Sequence, residues 1–448
     1  MNSIDTFARL GIRLPEVLLP AAGSDLQRWA VVACDQYSSE RGYWERVKAF
    51  VGDAPSTLEL VFPECYLEDA DRKERVTGIQ AAMREALAKG AMASRGPGFV
   101  LVERFTPYEK ESRKGLLMAV DLEKYQFGKD SKSLIRPTEG TIVERLPPRM
   151  DIRRGAPLEL PHIMLLVDDP ERSIIEPLYA RRERFPKLYD FDLMLGAGHV
   201  RGWQVKDEMS LDGIAAALEK LSDPEAFRLK YGKDELLLFA VGDGNHSLAT
   251  AKAIWEETKA SLPPGDPLLA DHPARFALVE LVNIYDEGLP FHPIHRVLFG
   301  GSLEMFHELL NGGNYEKRGQ HVAQAEEVYP LVDSPEEGVH KIGLVSEGRK
   351  ACLSILNPTH NLAAGTIQEI LDELLKRNPK VSIDYIHGTE SLGALAMKPG
   401  NLGFYLPPID KSSFFATVIR DGVMPRKTFS MGEAPEKRFY VEARKIVP

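Results

Sequence analysis

Cysteine is scarce in this chain of 448 residues, which has only Cys34, Cys65 and Cys352. Because these residues are widely spaced, the sequence excludes a disulfide framework and a zinc ribbon, and we interpret them as inert thiols. Long apolar runs are also lacking, since no stretch approaches the length that crosses a bilayer. The N-terminal residues show no basic region followed by an apolar run. These absences predict a reduced, soluble, cytoplasmic protein.

An excess of positive charge is lacking as well. The 56 Lys and Arg residues are outnumbered by 66 Asp and Glu residues, which gives a formal net charge of −10. Since neutralising nucleic-acid phosphates requires a basic face, we expect no nucleic-acid partner. We expect no membrane partner either. The expected partner is a small-molecule substrate, and association into a homodimer is an open alternative. No G-x-x-x-x-G-K-[ST] sequence occurs, which argues against a P-loop enzyme.

The composition is that of a globular protein, with 44% hydrophobic and 27% charged residues. The length predicts more than one domain, and we place them at 1–165, 166–300 and 301–448. Helical and strand patterns mix without a regular βαβ rhythm, which predicts an α+β fold with mixed sheets.

Several local elements follow from the pattern. Trp29 to Cys34 is predicted to be a buried strand, followed by a helix capped at Ser38 or Ser39. "GFVLVERF" and "GLLMAVDL" are predicted to pair as strands, and a hairpin is predicted to turn at Gly196 to Gly198. "SLIRPTEGTIVERLPPRMDIRRGAPLELPH" has no clear period and is predicted to be a long irregular segment.

The most informative stretch, "LLLFAVGDGNHSLATAKAIWEE", runs from Leu236 to Glu257. An apolar strand, a glycine-rich turn and a helix start form an anion site, because the first helical turn offers free N–H groups and a positive dipole end. Gly242 and Gly244 allow a tight turn and close approach to a phosphate. Four polar residues of the turn are candidates to bind Mg²⁺, to act as a base or to contact phosphate. They are Asp243, Asn245, His246 and Ser247. The alternative is a plain turn with a capping side chain.

Four other segments carry candidate ligands, two of them in the N-terminal third of the chain. In "RPTEGTIVERLPPR", Arg136 suits an anionic ligand and Glu139 suits proton removal from a substrate hydroxyl. The alternative for this segment is a solvated surface loop. Asp35 follows the predicted strand in "ACDQY", at a strand end where ligand groups are common.

Two segments nearer the C-terminus contain histidines and cations. "FHPIHR" contributes His295 and Arg296 as substrate or phosphate ligands. "MPRKTFS" contributes Arg426 and Lys427 to an anion site. A metal site made of His246, His292 and His295 is an alternative, although Pro293 disfavours a helical presentation of the last two.

The motif "VGDGNHSLATA" resembles the D-G-[HN]-H-[RS]-x-x-[TA]-A signature of the domain-of-unknown-function family 1015. Other blocks resemble the same family in the same order, over nearly the whole chain: "WAVVACDQYSSERGYW", "GDAPSTLELVFPECYLED", "RPTEGTIVER", "HPIHRVLF", "DYIHG" and "VMPRKTFS". The family signature in turn resembles the phosphate-binding motif of the ParB/sulfiredoxin-like superfamily. The resemblance implies a nucleotide-binding α+β core.

The relatives in that superfamily include ParB proteins, sulfiredoxins and free serine kinases. Asn245 stands where sulfiredoxins need a cysteine, and the acidic charge disfavours DNA segregation, so the kinase alternative remains. The resemblance thus implies a phosphotransferase that uses ADP or ATP with Mg²⁺ on a small hydroxyl compound, free serine first. Asp243 would serve as base or metal ligand, with Glu139 and His246 also catalytic.

This chain departs from the superfamily motif at Ser247, where the motif has arginine. Other cations therefore have to supply the missing charge. Two further functions stay open, a nucleotide-binding regulator without turnover and a metal-dependent hydrolase.

Overall fold

The structure of the chain is a computed structural model that describes residues 2–128, 131–313, 317–320, 325–425 and 427–448. The chain divides into two compact units, Met1–Leu289 with Glu433–Pro448, and Pro290–Gly432. Residues 1–165 and most of 166–300, which the sequence divides between two predicted domains, lie together in the first unit. The C-terminal segment therefore folds with the N-terminal part of the chain.

The strands alternate with helices irregularly along both units. In chain order the strands are β1 (Ile12–Arg13), β2 (Glu16–Pro20), β3 (Met92–Pro97), β4 (Phe99–Phe105), β5 (Arg113–Asp121), β6 (Ile135–Pro137), β7 (Leu158–Glu159), β8 (Met164–Val167), β9 (Lys187–Asp192), β10 (His199–Val205), β11 (Phe239–Asp243), β12 (Phe276–Asn283), β13 (His292–Phe299), β14 (Lys317–Gln320), β15 (Val339–Ser346), β16 (Arg349–Leu356), β17 (Ser382–His387), β18 (Asn401–Tyr405), β19 (Phe429–Ser430) and β20 (Arg444–Lys445).

The α-helices range from single turns to 17 residues. They are α1 (Ser3–Arg9), α2 (Leu26–Trp29), α3 (Arg41–Val51), α4 (Arg72–Ala88), α5 (Leu146–Arg153), α6 (Glu176–Ala180), α7 (Glu208–Leu221), α8 (Pro224–Tyr231), α9 (Asn245–Ser261), α10 (Leu268–Asp271), α11 (Leu303–Gly312), α12 (Val328–Asp333), α13 (Ala363–Arg377), α14 (Thr389–Ala396) and α15 (Lys411–Asp421).

The first unit is built on a nine-stranded sheet in the order β6-β11-β8-β12-β5-β4-β10-β9, with β1 on β5. Two of its pairs, β6 with β11 and β8 with β12, are parallel, whereas its other pairs are antiparallel. The α+β prediction with mixed sheets is therefore confirmed. The predicted pairing of β4 with β5 and the hairpin of β9 and β10 are confirmed as well.

Both faces of this sheet are covered by apolar side chains. In β4, Val100 and Val102 belong to one core, and Phe99 and Leu101 belong to the other, as the two-residue period of a strand requires. Every residue of β12 is buried. Such two-sided burial explains why these strands have nearly continuous apolar sequences.

The strand predicted from Trp29 to Cys34 is wrong. Trp29 ends α2, and an irregular segment follows in which Val32 forms an isolated bridge with Phe439. Val31 and Val32 are 0% exposed, so their apolar pattern reflects core burial rather than sheet pairing. The next helix begins after Glu40, which contributes no side-chain cap, instead of after Ser38 or Ser39.

The segment predicted to be irregular contains regular structure. It forms β6, which pairs with β11, and then α5. Short length and two prolines at the start of α5 hide its helical period, since proline is well accommodated in a first helical turn.

The second unit has a seven-stranded sheet in the order β14-β16-β15-β18-β13-β17, with β19 on β13. Its main core packs α11 and α13 against the sheet through Phe306, Ile367 and Leu371. Among the described residues of both units, no helix has the length and apolar composition that crossing a membrane requires.

Candidate functional site

The turn after β11 has the predicted strand–turn–helix geometry. The register of β11 against β8 shifts between Val241 and Asp243, which places Gly242 at a bulge. Gly244 has φ of 80°, and a Cβ atom there would lie 3.0 Å from the Cα atom of Ile163. Only glycine combines this left-handed backbone with so close an approach. The turn therefore holds the start of α9 tightly against the segment before β8.

The first turn of α9 presents the polar motif residues. Gly244 is the N-cap and makes no side-chain capping bond, and Asn245, His246 and Ser247 follow it as the first helical residues. All three are half-buried. A helix start without a capping side chain keeps N–H groups and a positive dipole end available for an anion.

The loop that carries Glu139 is bonded to this turn. Thr138 N donates to Asn245 Oδ1 at 3.2 Å, and Thr138 Oγ1 donates to the Val241 carbonyl at 2.6 Å. The Ile142 N–H donates to His246 Nε2 at 3.4 Å. Glu139 is half-buried between these two attachment points. The sequence segments "RPTEGTI" and "GDGNHS" therefore form one structure.

Asp243 is paired with a lysine from the C-terminal segment. Lys437 Nζ lies 3.0 Å from Asp243 Oδ2, and the two side chains are 15% and 27% exposed. The N–H of Gly244 donates to Asp243 Oδ1 at 2.9 Å. Burial alone would raise the pKa of Asp243, but Lys437, with a smaller contribution from His162, holds this pKa below its ordinary value. Asp243 is therefore a carboxylate next to a fixed cation.

His162 joins the motif to two other parts of the unit. Its Nε2 lies 2.7 Å from Ser247 Oγ and 3.7 Å from Asp35 Oδ2. Its Nδ1 lies 2.7 Å from Tyr440 Oη. We call Asp35, His162, Asp243, Ser247 and Lys437 the Asp243 cluster, which brings three predicted residues together with two that are not predicted from the sequence.

His246 lies near two arginines, Arg145 at the end of the loop that carries Glu139 and Arg149 on α5. Burial, together with repulsion from Arg149 and Arg145, lowers the pKa of His246. A neutral ring agrees with its hydrogen bond, since Nε2 accepts from Ile142 and leaves the proton on Nδ1. Arg149 is itself bonded to Glu64 at 2.6 Å. Burial raises the pKa of Glu64 in spite of this pair.

Arg136 belongs to the same unit but is not a member of this cluster. The Arg136 guanidinium donates to the backbone carbonyls of Ser133, Glu235 and Leu236, and so ties the loop to the segment before β11. Arg426 lies outside the described residues. Lys427 belongs to the second unit, where it is exposed and has φ of 55°.

His295 and Arg296 are interior residues of the second unit. His295 is 1% exposed, stacks on Tyr405 and accepts a hydrogen bond from the Leu406 N–H at its Nδ1. Arg296 is 0% exposed, donates to the Ile294 carbonyl and lies over the Tyr385 ring. These contacts show structural uses for both side chains within β13 and its neighbours.

The part of the chain that the structure describes contains no group of three or more His, Cys, Asp or Glu side chains arranged to hold a metal ion. His246, His292 and His295, which the alternative metal site requires, are among these described residues and do not form such a group.

His162, Tyr440 and Lys437 are the members of the site that sequence reasoning missed. His162 carries a weak signal, since it directly precedes the buried run "IMLLV" that contains β8. Lys437 and Tyr440 carry none, because they lie in an irregular segment far along the chain from Asp243. Only the folding of Glu433–Pro448 onto the first unit brings them to the site.

Comparison with known proteins gives one family and several distant structures. The family described as "Protein of unknown function (DUF1015)" matches residues 18–374. No curated protein matches the chain. A conserved hypothetical protein from Pyrococcus furiosus is similar, with 14% identity, a TM-score of 0.35, and coverage of 74% of this chain and 95% of that one.

A free serine kinase in complex with AMP is also similar, with 13% identity, a TM-score of 0.38, and coverage of 74% of this chain and 92% of the kinase. SbnI from Staphylococcus aureus, with a C-terminal truncation, gives 10% identity and a TM-score of 0.35 over 74% and 87% of the two chains. The family match extends over most of the chain, from β2 into α13. The chain therefore belongs to the family of proteins of unknown function DUF1015.

Proposed function

We propose that the protein is a nucleotide-dependent phosphotransferase that acts on a small hydroxyl compound. The observation that carries the proposal is the start of α9, where a helix without a side-chain cap meets Lys437 and Asp243. Helix N-termini with a nearby cation bind phosphate, because N–H groups and positive charge converge on its oxygens.

The Asp243 cluster also supplies the charge that Ser247 lacks. Lys437 stands 3.0 Å from Asp243, beside the turn where the superfamily motif carries arginine. In this proposal Lys437 and the N–H groups of α9 hold the phosphates, and His246 donates from Nδ1. Positioning and charge neutralisation of this kind account for most of the catalysis in phosphoryl transfer. Glu139 is the proton acceptor that the sequence predicts.

The residues present do not form a resident Mg²⁺ site. Both oxygens of Asp243 are occupied, one by Lys437 and the other by the Gly244 N–H. A Mg²⁺ ion on this carboxylate would have to arrive with the nucleotide phosphates and displace Lys437. We assign no step to it.

Thermal unfolding with AMP, ADP, ATP and CTP, each with and without Mg²⁺, tests the binding step. A ligand at a hundred times its Kd adds about 2.7 kcal/mol of stability, which raises Tm by several degrees. We expect this shift for an adenine nucleotide. Lys437→Met should weaken its binding at least tenfold, because a charge-assisted phosphate contact is lost.

Lys252→Met is the matched control. Lys252 also lies on the first unit, on α9 itself, but pairs with Glu256 at 2.6 Å. An equal loss in both variants would show that only net charge matters, and absence of any nucleotide-induced shift would contradict the proposal.

A regulator that binds nucleotide without turnover is the second candidate. The Asp243–Lys437 pair favours the regulator, because Lys437 engages the carboxylate that the kinase hypothesis needs. Single-turnover transfer of labelled phosphate from ATP or ADP to free serine or another hydroxyl compound decides between the two.

A further inference from the structure

A cavity of about 140 Å³ lies in the first unit beside the start of α9. Much of its wall is apolar and comes from Leu60, Phe62, Met83, Ile152, Leu158 and Leu278. Ser247 and His162 also line it. The cavity therefore opens directly onto the Asp243 cluster.

The charged groups in the wall neutralise one another. Arg149 is bonded to Glu64 at 2.6 Å, and Arg153 is bonded to Glu159 at 2.6 Å. A free amino acid in this space would bring an ammonium and a carboxylate against groups that already have opposite-charge partners. Burying those charges without new partners is costly. The wall thus favours a neutral, largely apolar occupant.

The volume limits the size of that occupant. An apolar cavity of about 150 Å³ holds one benzene molecule. An apolar body of about six carbon atoms therefore fills this cavity.

The hydrogen bonds around His162 accommodate a tautomer that leaves Nε2 free to accept a proton. Tyr440 Oη donates its hydrogen to Cys34 Sγ at 3.2 Å and accepts from the Cys34 N–H at 3.1 Å. In the tautomer that carries its proton on Nδ1, His162 donates to Tyr440 Oη, 2.7 Å away. The free electron pair of the neutral ring is then on Nε2, where the Ser247 hydroxyl, at 2.7 Å, marks the place of a donating hydroxyl group.

We propose that the phosphate acceptor is a small neutral alcohol whose apolar body, of about six carbon atoms, fills this cavity and whose hydroxyl replaces that of Ser247 at His162 Nε2. This inference rests on the proposed phosphotransfer and narrows its acceptor. It gives His162 the role that the sequence assigns to Glu139.

The transfer is balanced by groups in the site and by the nucleotide. The acceptor oxygen forms a bond to the terminal phosphorus, and the bond from that phosphorus to its bridging oxygen breaks. The acceptor proton moves to His162 Nε2, and the shortened nucleotide leaves with the electron pair. Asp35, 3.7 Å from Nε2, stabilises the imidazolium that forms.

The test compares acceptors with the full-length protein and with ATP or ADP as the phosphate donor, since AMP has no phosphoanhydride bond to break. Benzyl alcohol, 3-methylbutanol, 3-phenylpropanol and free serine are each offered, and kcat/KM is measured from labelled phosphate transfer. We expect benzyl alcohol or 3-methylbutanol to exceed serine at least tenfold. Intact-mass spectrometry checks that phosphate does not remain on Ser247.

Variants of the cavity sharpen this test. Met83→Ala enlarges the cavity and should shift the preference towards 3-phenylpropanol, whereas Ala156→Leu fills it and should lower transfer to every apolar alcohol at least tenfold. Val76→Ala is the matched control, because Val76 lies on α4 with Met83 and packs on the same core but is not among the residues lining the cavity. An unchanged nucleotide-induced Tm shift shows that each variant is folded.

A variant of the base tests the role of His162. His162→Gln should lower kcat for the alcohol at least a hundredfold, with a smaller change in KM.

The outcomes separate the two proposals. If serine exceeds every apolar alcohol, or phosphate accumulates on Ser247, the acceptor inference is overturned while phosphotransfer stands. If no nucleotide binds and no acceptor is phosphorylated, the proposed function falls and the acceptor inference falls with it.

Discussion

At the scale of single residues, two histidines in similar polar motifs lie in different environments. His246 and His295 both stand in polar motifs, but His246 is half-buried at a helix start, whereas His295 is 1% exposed within the second unit. Burial, with repulsion from Arg296, lowers the pKa of His295 to about 4. A residue's neighbours along the chain do not determine this difference, because it depends on strands that pair from distant positions.

The buried ring of His295 should make stability depend on pH. An unfolded histidine has a pKa near 6.5, so the folded state binds fewer protons between pH 4 and pH 6.5. The stabilising contribution of the neutral His295 ring to the free energy of unfolding is fully present above pH 6.5 and is lost as the pH falls towards 4. Between pH 7 and pH 5 the loss is about 2 kcal/mol in the free energy of unfolding.

His295→Gln keeps a polar side chain but does not titrate, so it should remove most of that difference. Urea unfolding followed by circular dichroism at the two pH values measures it. The exposed His307→Gln variant should keep the wild-type difference. An unchanged pH dependence in His295→Gln would show that the ring does not titrate as its burial requires.

At the scale of elements, the turn from β11 to α9 is the part of the site that sequence patterns describe best. A buried run, two glycines and a helical period predict its elements, and the structure has them at β11 and α9. The exact role of Gly244 is set by packing, since Ile163 approaches it from the segment before β8.

Gly244→Ala should therefore destabilise the protein more than the same substitution at a left-handed glycine that has no close neighbour. The backbone conformation alone costs about 1–2 kcal/mol for a residue with a side chain. The 3.0 Å approach to the Ile163 Cα adds a clash with backbone that cannot rotate away. We expect a total loss of about 2–4 kcal/mol, measured by urea unfolding.

Gly265→Ala is the control for this comparison. Gly265 has φ of 81°, but an added Cβ would meet no atom within 4 Å. It should show the backbone cost without the clash. Equal losses in the two variants would contradict the packing role of Gly244.

At the scale of the whole molecule, the C-terminal segment completes the first unit. Arg438 is buried, and its guanidinium bonds Glu280 on β12, Glu442 within the segment and the Pro161 carbonyl beside His162. These bonds hold the neighbouring Lys437 and Tyr440 against the site. The site thus depends on a segment that is remote in sequence.

Arg438→Met should cost about 3–5 kcal/mol of stability, because it leaves buried carboxylates without their partner. Nucleotide binding should weaken as well, since Lys437 loses its support. Arg9→Met breaks an exposed pair with Glu219, whose side chains are 48% and 47% exposed, and should cost less than about 1 kcal/mol. Similar losses in both variants, measured by urea unfolding, would show that the buried network contributes little.

The sequence by itself determined the elements whose cause is local. The two-residue and helical periods, the glycines of the turn and the family blocks predict the α+β class, β11, α9 and the candidate roles of Asp35, Asp243 and Ser247. The tertiary structure decided which side chains meet. Lys437 reaches Asp243, His162 reaches Ser247, and Arg136 bonds carbonyls, because sheet pairing and the return of the C-terminal segment bring distant residues into contact. Local sequence patterns do not encode such contacts, since burial and charge pairing depend on the whole fold.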